Sequence, residues 1–440
     1  MPGARAHFTG LVLLSLLLAS SSPAQADGAF PDEFSLHFPP GAPSRILIGA
    51  NFGLLVSEDD GLSWRYACEP WIVAGSNAAL ANNSVSFYQV TQDGAYLATS
   101  VNLTRSSDVA CTWPISGGAV SGQRVADIFP DPNDASFVLA IVVLLNPTNI
   151  ASYLLASHDG GKTFDPQHLY ETPDLLTGVE IARSKAGMVY ATTISLSGGA
   201  SHFLASPDRG ATWTTTTIPN APSTEPRILV VDPDDEKKVY LRIIDAVSDS
   251  MMMTEDSGQS FRTILPPIGT QLSAFLRAGD GTLYAGTRTG KLYVLPPGAQ
   301  DFASRDGPHF RCLGQRPGST RIYACTDMVV DGYSLASSDD QGQTFQRVMS
   351  FRDLLGPLTC SPVQTNCAAH WQRIQGVLGI GDGGTDAGTD AGAPGTPDAG
   401  TSPPAKSGGG CSSTEGAVLP LLAMLALLCL GLLARSPRAR

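Results

Sequence analysis

The chain has 440 residues, with 28 Lys and Arg against 40 Asp and Glu, so its formal net charge is −12. A negative chain without a cluster of basic residues in its body argues against nucleic acid as a partner. The 46 glycines and 32 prolines favour many short elements joined by turns over long helices.

Residues 1–26 have the pattern of a secretory signal peptide. Arg5 precedes the apolar run LVLLSLLLA, and AQA at 24–26 offers the small residues of a cleavage site. The apolar run is too short for a membrane anchor. The sequence therefore predicts export, with a mature chain that begins at Asp27.

An eight-residue segment with the pattern Ser-x-Asp-x-Gly-x-Thr-aromatic recurs along the chain. Five good copies begin at residues 57, 157, 206, 254 and 338, and a sixth at 106 has Ala110 in place of the glycine. We call these six segments the octamers. A shortened seventh copy is assigned to 304–310. Most neighbouring copies begin 48–51 residues apart, which indicates a repeated architecture.

Each copy follows a short apolar run that comes after a turn, as in KAGMVYATT at 185–193. β-branched and aromatic residues alternate there with small ones, which is typical of strands. Units of about 50 residues with four strands each predict an all-β fold, a single β-propeller of seven four-stranded blades over residues 27–378. Because the first octamer lies so near the N-terminus, we expect the last blade to borrow an N-terminal strand that closes the ring.

The octamer residues suit hairpin turns. Glycine supplies a positive φ, aspartate and the hydroxyl residues bond backbone amides, and the aromatic residue begins the next strand. Copies that are spread around a ring cannot converge on one site, so a structural role is predicted. The residues with this role are Ser57, Asp59, Gly61, Trp64, Ser106, Asp108, Trp113, Ser157, Asp159, Gly161, Phe164, Ser206, Asp208, Gly210, Trp213, Thr254, Asp256, Gly258, Phe261, Ser338, Asp340, Gly342 and Phe345.

The octamers resemble the Asp-box repeats, also called BNR repeats, of sialidases, xyloglucanases, sortilin-type receptors and photosystem assembly factors. The resemblance covers about 300 residues. It implies a propeller whose boxes are hairpin turns away from the active face. It implies no single activity, because unrelated activities share the fold.

Cysteine usage fits an oxidising compartment. Cys429 lies in a C-terminal apolar run and Cys411 stands alone before it, which leaves six candidates for disulfides. Proximity in the sequence predicts the pairs Cys68–Cys111, Cys312–Cys325 and Cys360–Cys367. A zinc site is disfavoured because there is no CxxC motif or nearby pair of histidines.

Residues 360–379 fit no repeat. Trp371, Ile374, Val377 and Leu378 have helical spacing, so a small amphipathic helix is predicted after a Cys360–Cys367 loop. We expect this helix to cap the end of the ring, and a binding site is the alternative.

Composition changes after the predicted ring. Residues 379–410 are rich in Asp, Gly, Ala and Pro and predict a disordered linker. The TDAG repeats lack the glutamate and the length of an EF-hand loop, so calcium is not predicted. The apolar run 417–434 is long enough to cross a bilayer core, and the arginines after it predict a cytoplasmic C-terminus.

Residues 411–440 resemble the myxobacterial C-terminal sorting signal, in which a cysteine after a Gly-rich spacer precedes a membrane helix and a basic end. The resemblance implies that a membrane protease processes the tail and that Cys411 carries the lipid or anchor. An ordinary C-terminal membrane anchor is the alternative.

The sequence lacks the complete catalytic motifs of related folds. Sialidases need three arginines, a Tyr paired with a Glu as nucleophile, and an Asp that acts as the acid. The nearest segments, SRIL at 44–47 and PRIL at 226–229, lack the proline that follows the isoleucine, and Arg45 and Arg227 are interpreted as flanking strand starts. No pair of carboxylates stands out as a glycoside hydrolase would need. We therefore predict no catalytic, cofactor-binding or metal-binding residues.

These features favour an exported, surface-anchored binding or scaffold module, such as an adhesin, receptor or assembly factor. We expect its partner to be an envelope protein or glycan, and its membrane attachment to be the C-terminal segment or a lipid on Cys411. We also expect a monomer without a cofactor. A glycoside hydrolase of the sialidase or xyloglucanase type is the alternative. Three converging arginines or paired carboxylates at the channel mouth would indicate that enzyme.

Overall fold

Short antiparallel strands dominate the chain. A computed structural model describes residues 33–73, 87–146, 149–220 and 224–380. The predicted signal peptide (1–26), most of the predicted linker and the predicted sorting signal (411–440) lie outside these residues. The strands form seven blades around a ring, which confirms the predicted seven-bladed propeller.

The first three blades lie in residues 33–172. Blade 1 contains β1 (Glu33–His37), β2 (Ile46–Ala50), β3 (Gly53–Ser57) and β4 (Trp64–Cys68). Blade 2 contains β5 (Phe87–Val90), β6 (Tyr96–Thr99) and β7 (Leu103–Ser106), and Ile115 extends it by one bridge to Thr104. Blade 3 contains β9 (Arg124–Pro130), β10 (Val138–Asn146), β11 (Asn149–Ser157) and β13 (Tyr170–Thr172). A short parallel pair, β8 (Gly117–Gly118) and β12 (Thr163–Phe164), links blades 2 and 3.

The remaining four blades are regular four-stranded sheets. Blade 4 contains β14 (Leu175–Ile181), β15 (Val189–Ile194), β16 (His202–Ser206) and β17 (Thr214–Thr217). Blade 5 contains β18 (Glu225–Val231), β19 (Val239–Ile244), β20 (Ser250–Thr254) and β21 (Arg262–Leu265). Blade 6 contains β22 (Leu272–Arg277), β23 (Leu283–Thr287), β24 (Lys291–Leu295) and β25 (Ala303–Asp306). Blade 7 contains β26 (Phe310–Gln315), β27 (Ile322–Thr326), β28 (Leu335–Ser338) and β29 (Gln346–Met349).

The ring closes differently from the sequence prediction. Blade 7 has four strands of its own, and the N-terminal β1 is the first strand of blade 1. The added strand is instead C-terminal, because β30 (Leu354–Pro357) pairs in parallel with β4 at the outer edge of blade 1. The prediction was wrong because three short strands fit between residue 33 and the first octamer.

The segment 304–310 is not a seventh octamer. It runs from the last strand of blade 6 into the first strand of blade 7. The equivalent turn of blade 6 lies at 296–302, between β24 and β25, and has lost the Ser, Asp and Thr pattern. The predicted copy was irregularly spaced because it was assigned to this later segment and not to the turn at 296–302.

The hydrophobic core lies between neighbouring blades. Leu139 and Ile141 of blade 3, for example, pack with Val179 and Val189 of blade 4. Each buried aliphatic side chain contributes roughly 1.5–3 kcal/mol. Polar contacts also join the first strands, since the hydroxyl of Thr177 donates to Pro226 O at 2.5 Å. Neighbouring blades are thereby held in a fixed position.

The octamers fold as tight turns with a repeated hydrogen-bond pattern. In the first, Ser57 Oγ donates to Asp59 Oδ1 at 2.9 Å and accepts from Gly61 N–H at 2.8 Å. Asp59 also accepts from the backbone N–H of Ser63 at 2.8 Å and from its hydroxyl at 2.5 Å. The octamers that begin at 106, 157, 206, 254 and 338 repeat these four contacts.

Backbone conformation explains the glycine of the pattern. Gly258 has φ 90°, and a Cβ there would lie 2.3 Å from Phe203 Cδ1. Ala110 occupies the same position of its octamer with φ 65°, a conformation that costs a non-glycine residue about 1 kcal/mol or more. The pattern therefore fixes the shape of the turn.

Six cysteines form three disulfides, as predicted, but two of the pairs differ. The disulfides are Cys68–Cys367, Cys111–Cys360 and Cys312–Cys325, so only the last pairing was correct. Proximity in the sequence failed because closure of the ring brings its two ends together. Three disulfides point to a protein that folds in an oxidising compartment.

The predicted C-terminal helix is present. The helices are α1 (Glu69–Ile72), α2 (Met328–Asp331) and α3 (Ser361–Leu378). Cys367 lies inside α3, so the predicted Cys360–Cys367 loop is wrong. The helix packs on β4 and β30 at the outer edge of blade 1, where Trp371 lies 5.6 Å from the ring of Tyr66. It does not cap the end of the ring, and Val377 is exposed.

Candidate ligand-binding site

The two faces of the ring differ in what they carry. Strands alternate in direction within a blade, so the first strands begin at one face, and the octamer turns between third and fourth strands lie at the other. We call these the cavity face and the turn face. The octamer residues lie in six different blades on the turn face, and the structure does not bring them together.

At the turn face, octamers bind their own blades. Gly160 N–H donates to Ser136 O at 2.7 Å, and Arg209 N–H donates to Gly187 O at 2.8 Å. The Arg209 side chain also reaches blade 3, where it pairs with Asp131 at 3.3 Å and lies over the ring of Phe137. These contacts serve the packing of the ring.

A cavity of about 230 Å³ opens at the cavity face. Phe87, Arg124, Leu175 and Glu225 line it, and each is the first residue of the first strand in blades 2, 3, 4 and 5. The rest of the wall is largely aliphatic, with Val125, Val143, Leu176 and Ile194. A concave apolar wall with a few polar groups is typical of a ligand site.

Arg227 and Glu225 form the polar side of this cavity. They lie two residues apart on β18, so both side chains project from the same side of the strand. Arg227 Nε donates to Glu225 Oε1 at 2.6 Å, and the two side chains are 43% and 30% exposed. Glu225 therefore holds the guanidinium in place and compensates its charge.

Arg124 is the second cation of the cavity. It is exposed at the start of β9, and among the residues that the structure describes it has no hydrogen-bond or ion-pair partner. Its charge is available to a ligand.

A buried ion pair lies on β19 beside the site, where Arg242 is the cross-strand neighbour of Arg227. Arg242 Nε donates to Asp249 Oδ2 at 2.7 Å, and the Asp249 side chain is fully buried. Asp249 also accepts from Leu272 N–H of blade 6 at 2.8 Å. Burial lowers the pKa of Arg242, and Asp249 opposes that shift. This pair is internally neutral and holds β19 against blade 6.

Two carboxyls bridge the first strands beside the cavity. Asp127 accepts from Val179 N–H of blade 4 at 3.1 Å, and Glu180 accepts from Val231 N–H of blade 5 at 2.8 Å. Burial raises the pKa of Asp127 to about 6 and that of Glu180 to about 8. Their hydrogen bonds run to the neighbouring backbone, so both act as links between blades.

Sequence reasoning missed the cavity residues. Arg227 was interpreted as flanking a strand start, but it lies within β18 and lines the cavity. Arg45 does precede β2 directly, where it pairs with Glu58 at 2.7 Å. The available signal was the Glu-x-Arg alternation of residues 225–227 at the start of a first strand.

The described lining differs from both enzyme patterns. Within the described residues the cavity has two arginines and one carboxyl, Glu225, and no tyrosine lines it. Three arginines with a Tyr–Glu pair, or two facing carboxylates, are therefore not assembled by the described lining. The same residues contain no group of three or more His, Cys, Asp or Glu that could hold a metal ion.

The predicted membrane segment, 417–434, lies outside the described residues. Among the helices that are described, none has both the length and the apolar character needed to span a bilayer.

No protein-family model and no curated protein matches the chain. The extracellular domain of BT4673 from B. thetaiotaomicron is similar in structure, with a TM-score of 0.50 and 12% identity over 73% of this chain and 42% of that one. An ancestral GH74 enzyme has a TM-score of 0.43 and 12% identity, over 73% of this chain and 49% of that one. The Hadza microbial sialidase Hz136 has a TM-score of 0.40 and 15% identity, over 64% and 70%. The likeness to the first of these supports the propeller fold alone.

Proposed function

We propose that this chain is an exported, surface-anchored binding or scaffold module whose ligand is an envelope protein or glycan. The cavity that blades 2, 3, 4 and 5 line is the proposed binding site. The observation that carries the proposal is the pairing of an apolar wall with Arg124, a cation without a partner among the described residues. Such a lining binds and orients a ligand.

The ion pair of Glu225 with Arg227 favours binding over hydrolysis. A glycoside hydrolase of the sialidase or xyloglucanase type needs an acid and a second carboxylate or equivalent nucleophile across the scissile bond. Glu225 is the one carboxyl of the described lining, and it is paired with Arg227 at 2.6 Å. This ion pair engages the carboxylate with the guanidinium of its own strand.

We also propose that the octamers are Asp boxes with a structural role. Their aspartates bind the hydroxyls and amides of their own turns, as in Asp256 with Ser260 and Thr254. These hydrogen bonds lower the pKa of Asp256 to about 2, so the carboxylate stays charged and bonded at neutral pH. The binding site is assigned to the opposite face.

The predicted anchor completes the proposal. The sorting-signal resemblance of residues 411–440 would hold the ring at the cell surface through a membrane segment or a lipid on Cys411. In cells that produce Cys411→Ser, we expect the protein to be released or mislocalised. If its fractionation is unchanged, Cys411 has no part in anchoring.

A pair of tryptophan substitutions tests the binding site. Leu175→Trp fills the cavity, whereas Ser184→Trp adds the same side chain to an exposed turn at the turn face. The full chain and both variants are applied to an array of envelope glycans and purified envelope proteins. We expect selective capture that Leu175→Trp abolishes and Ser184→Trp leaves intact. Hydrolysis of any arrayed glycan would contradict the binding proposal, as would capture that is insensitive to Leu175→Trp.

A further inference from the structure

The charge count of the cavity restricts what it can bind. Arg124 and Arg227 contribute two positive charges and Glu225 one negative charge, so the described lining carries a net charge of +1. The chain as a whole carries −12. A positive cavity in a negative protein favours an anionic ligand group over a cationic or neutral one.

The charged groups beside the lining interact with Arg227 and with one another. Arg242, the cross-strand neighbour of Arg227, forms an ion pair with Asp249. Asp127 lies outside the lining. It interacts electrostatically with Arg227, and its carboxyl accepts from the backbone N–H groups of Val179 and Ile128 at 3.1 and 2.9 Å. Arg124 therefore remains the charge that a ligand would compensate.

The apolar part of the lining determines the chemistry of the ligand beyond its charged group. Phe87, Leu175 and Ile194 give the lining an apolar part beside the arginines, and the volume of about 230 Å³ admits a small group. A sugar would leave several hydroxyls against aliphatic side chains without hydrogen-bond partners, which is costly. An apolar group gains about 25 cal/mol for each Å² that it buries.

We infer that the cavity binds a single carboxylate that is joined to a small apolar group. The carboxylate lies between Arg124 and Arg227, and the apolar part lies against Phe87 and Leu175. A dianion such as phosphate is disfavoured because its second charge would lie near Glu225. This inference rests on the proposed function and specifies the ligand chemistry of the same site.

Matched small molecules test this inference on the full chain. Hexanoate carries the carboxylate and the apolar chain, hexanamide lacks the charge, and glucuronate has the charge without the apolar chain. In titrations followed by ligand-observed NMR, we expect hexanoate to bind about tenfold or more tightly than hexanamide, since a hydrogen bond to a charged group has this value. We also expect it to bind more tightly than glucuronate, which buries no apolar chain. Equal binding of hexanoate and hexanamide overturns the inference, and so does tighter binding of glucuronate or no binding of hexanoate.

A substitution with a matched control locates the site. Arg124→Gln removes the unpaired cation, and Arg183→Gln removes an exposed arginine from a turn-face loop. We expect the first variant to weaken hexanoate binding about tenfold or more, and the second to leave it unchanged, with equal melting temperatures. Unchanged binding by Arg124→Gln overturns the assignment. Capture of an envelope ligand that resists hexanoate and Arg124→Gln but is lost in Leu175→Trp would leave the proposed function in place and overturn only this inference.

Discussion

Cys68, at the end of β4, is disulfide-bonded to Cys367 in α3, 299 residues further along the chain. Cys111 and Cys360 make a second bond across 249 residues. Both bonds connect the C-terminal helix to the first two blades, so they lock the ring that β30 closes by strand pairing. Covalent closure of such long loops removes much of the entropy of the unfolded chain.

We predict that replacing this closure is more costly than replacing the local disulfide. The double substitution Cys68→Ser with Cys367→Ser should lower the free energy of unfolding by about 2–5 kcal/mol. The control is Cys312→Ser with Cys325→Ser, whose bond spans 13 residues and should contribute less in the loop-entropy account. Denaturant unfolding of the three proteins measures both values. A larger loss in the control would contradict the role of the long-range bond in closing the ring.

An octamer aspartate is predicted to affect stability and leave ligand binding intact. Asp159 accepts hydrogen bonds from Ser157 and Thr163 at 2.8 and 2.7 Å, so Asp159→Ala should lower the free energy of unfolding by about 1–3 kcal/mol. Asp301 is the control, because it is exposed in the blade 6 turn that has no octamer. Asp301→Ala should change stability little, as measured by the same denaturant titration. Equal effects of the two substitutions would exclude the proposed role of the octamer.

The glycine position of the octamer gives a prediction from geometry. In Gly258→Ala the new Cβ would meet Phe203 at 2.3 Å with the backbone at φ 90°, so we expect a loss of about 1–3 kcal/mol. Ala110→Gly relieves the same backbone conformation, and we expect almost no loss there. Thermal unfolding compares the two variants. A stable Gly258→Ala variant would mean that the turn tolerates a side chain.

The pH dependence of stability is predicted to follow Glu180. Burial raises the pKa of Glu180 to about 8, whereas an unfolded glutamate has a pKa of about 4.3. The folded protein therefore holds a proton that the unfolded chain releases, and stability falls as the pH rises through this interval. Glu180→Gln keeps an acceptor for Val231 N–H and removes the titration. We expect this variant to be more stable than the native chain at pH 8–9 and similar near pH 4.

Melting curves at a series of pH values measure this effect. The octamer aspartates affect stability at acidic pH, because their pKa values are lowered. The hydroxyl and backbone N–H of Ser260, together with Thr254, hold the pKa of Asp256 near 2, so its contribution is present above about pH 4 and is lost as the pH falls through 2. Glu180→Gln should leave this acid limb unchanged. Parallel native and variant curves between pH 5 and 9 would contradict the raised pKa of Glu180.

The repeated turns explain why the architecture could be predicted. The Ser, Asp and Thr contacts of each octamer are local, so the residues that make them are close in sequence as well as in space. The way the ring closes could not be predicted from local patterns. The pairing of Leu354 with Trp64 and the bond between Cys68 and Cys367 depend on where the two ends of the ring meet, and no local pattern encodes that.

The cavity was missed for a related reason. Arg124 and Arg227 each occur near the start of a strand, where an isolated arginine is usually solvated. Their proximity arises because the first strands of neighbouring blades begin at the same face of the ring. Only the alternation of Glu225 and Arg227 was visible in the sequence, and two residues of one strand do not define a cavity.

The turn face stabilises the ring, and the cavity face is the proposed binding surface. The most direct test measures hexanoate binding and the free energy of unfolding in Arg124→Gln and Asp159→Ala. We predict that Arg124→Gln loses binding with native stability, and that Asp159→Ala loses stability with native binding while folded. Loss of binding in folded Asp159→Ala, with native binding in Arg124→Gln, would place the ligand at the octamers and contradict the account.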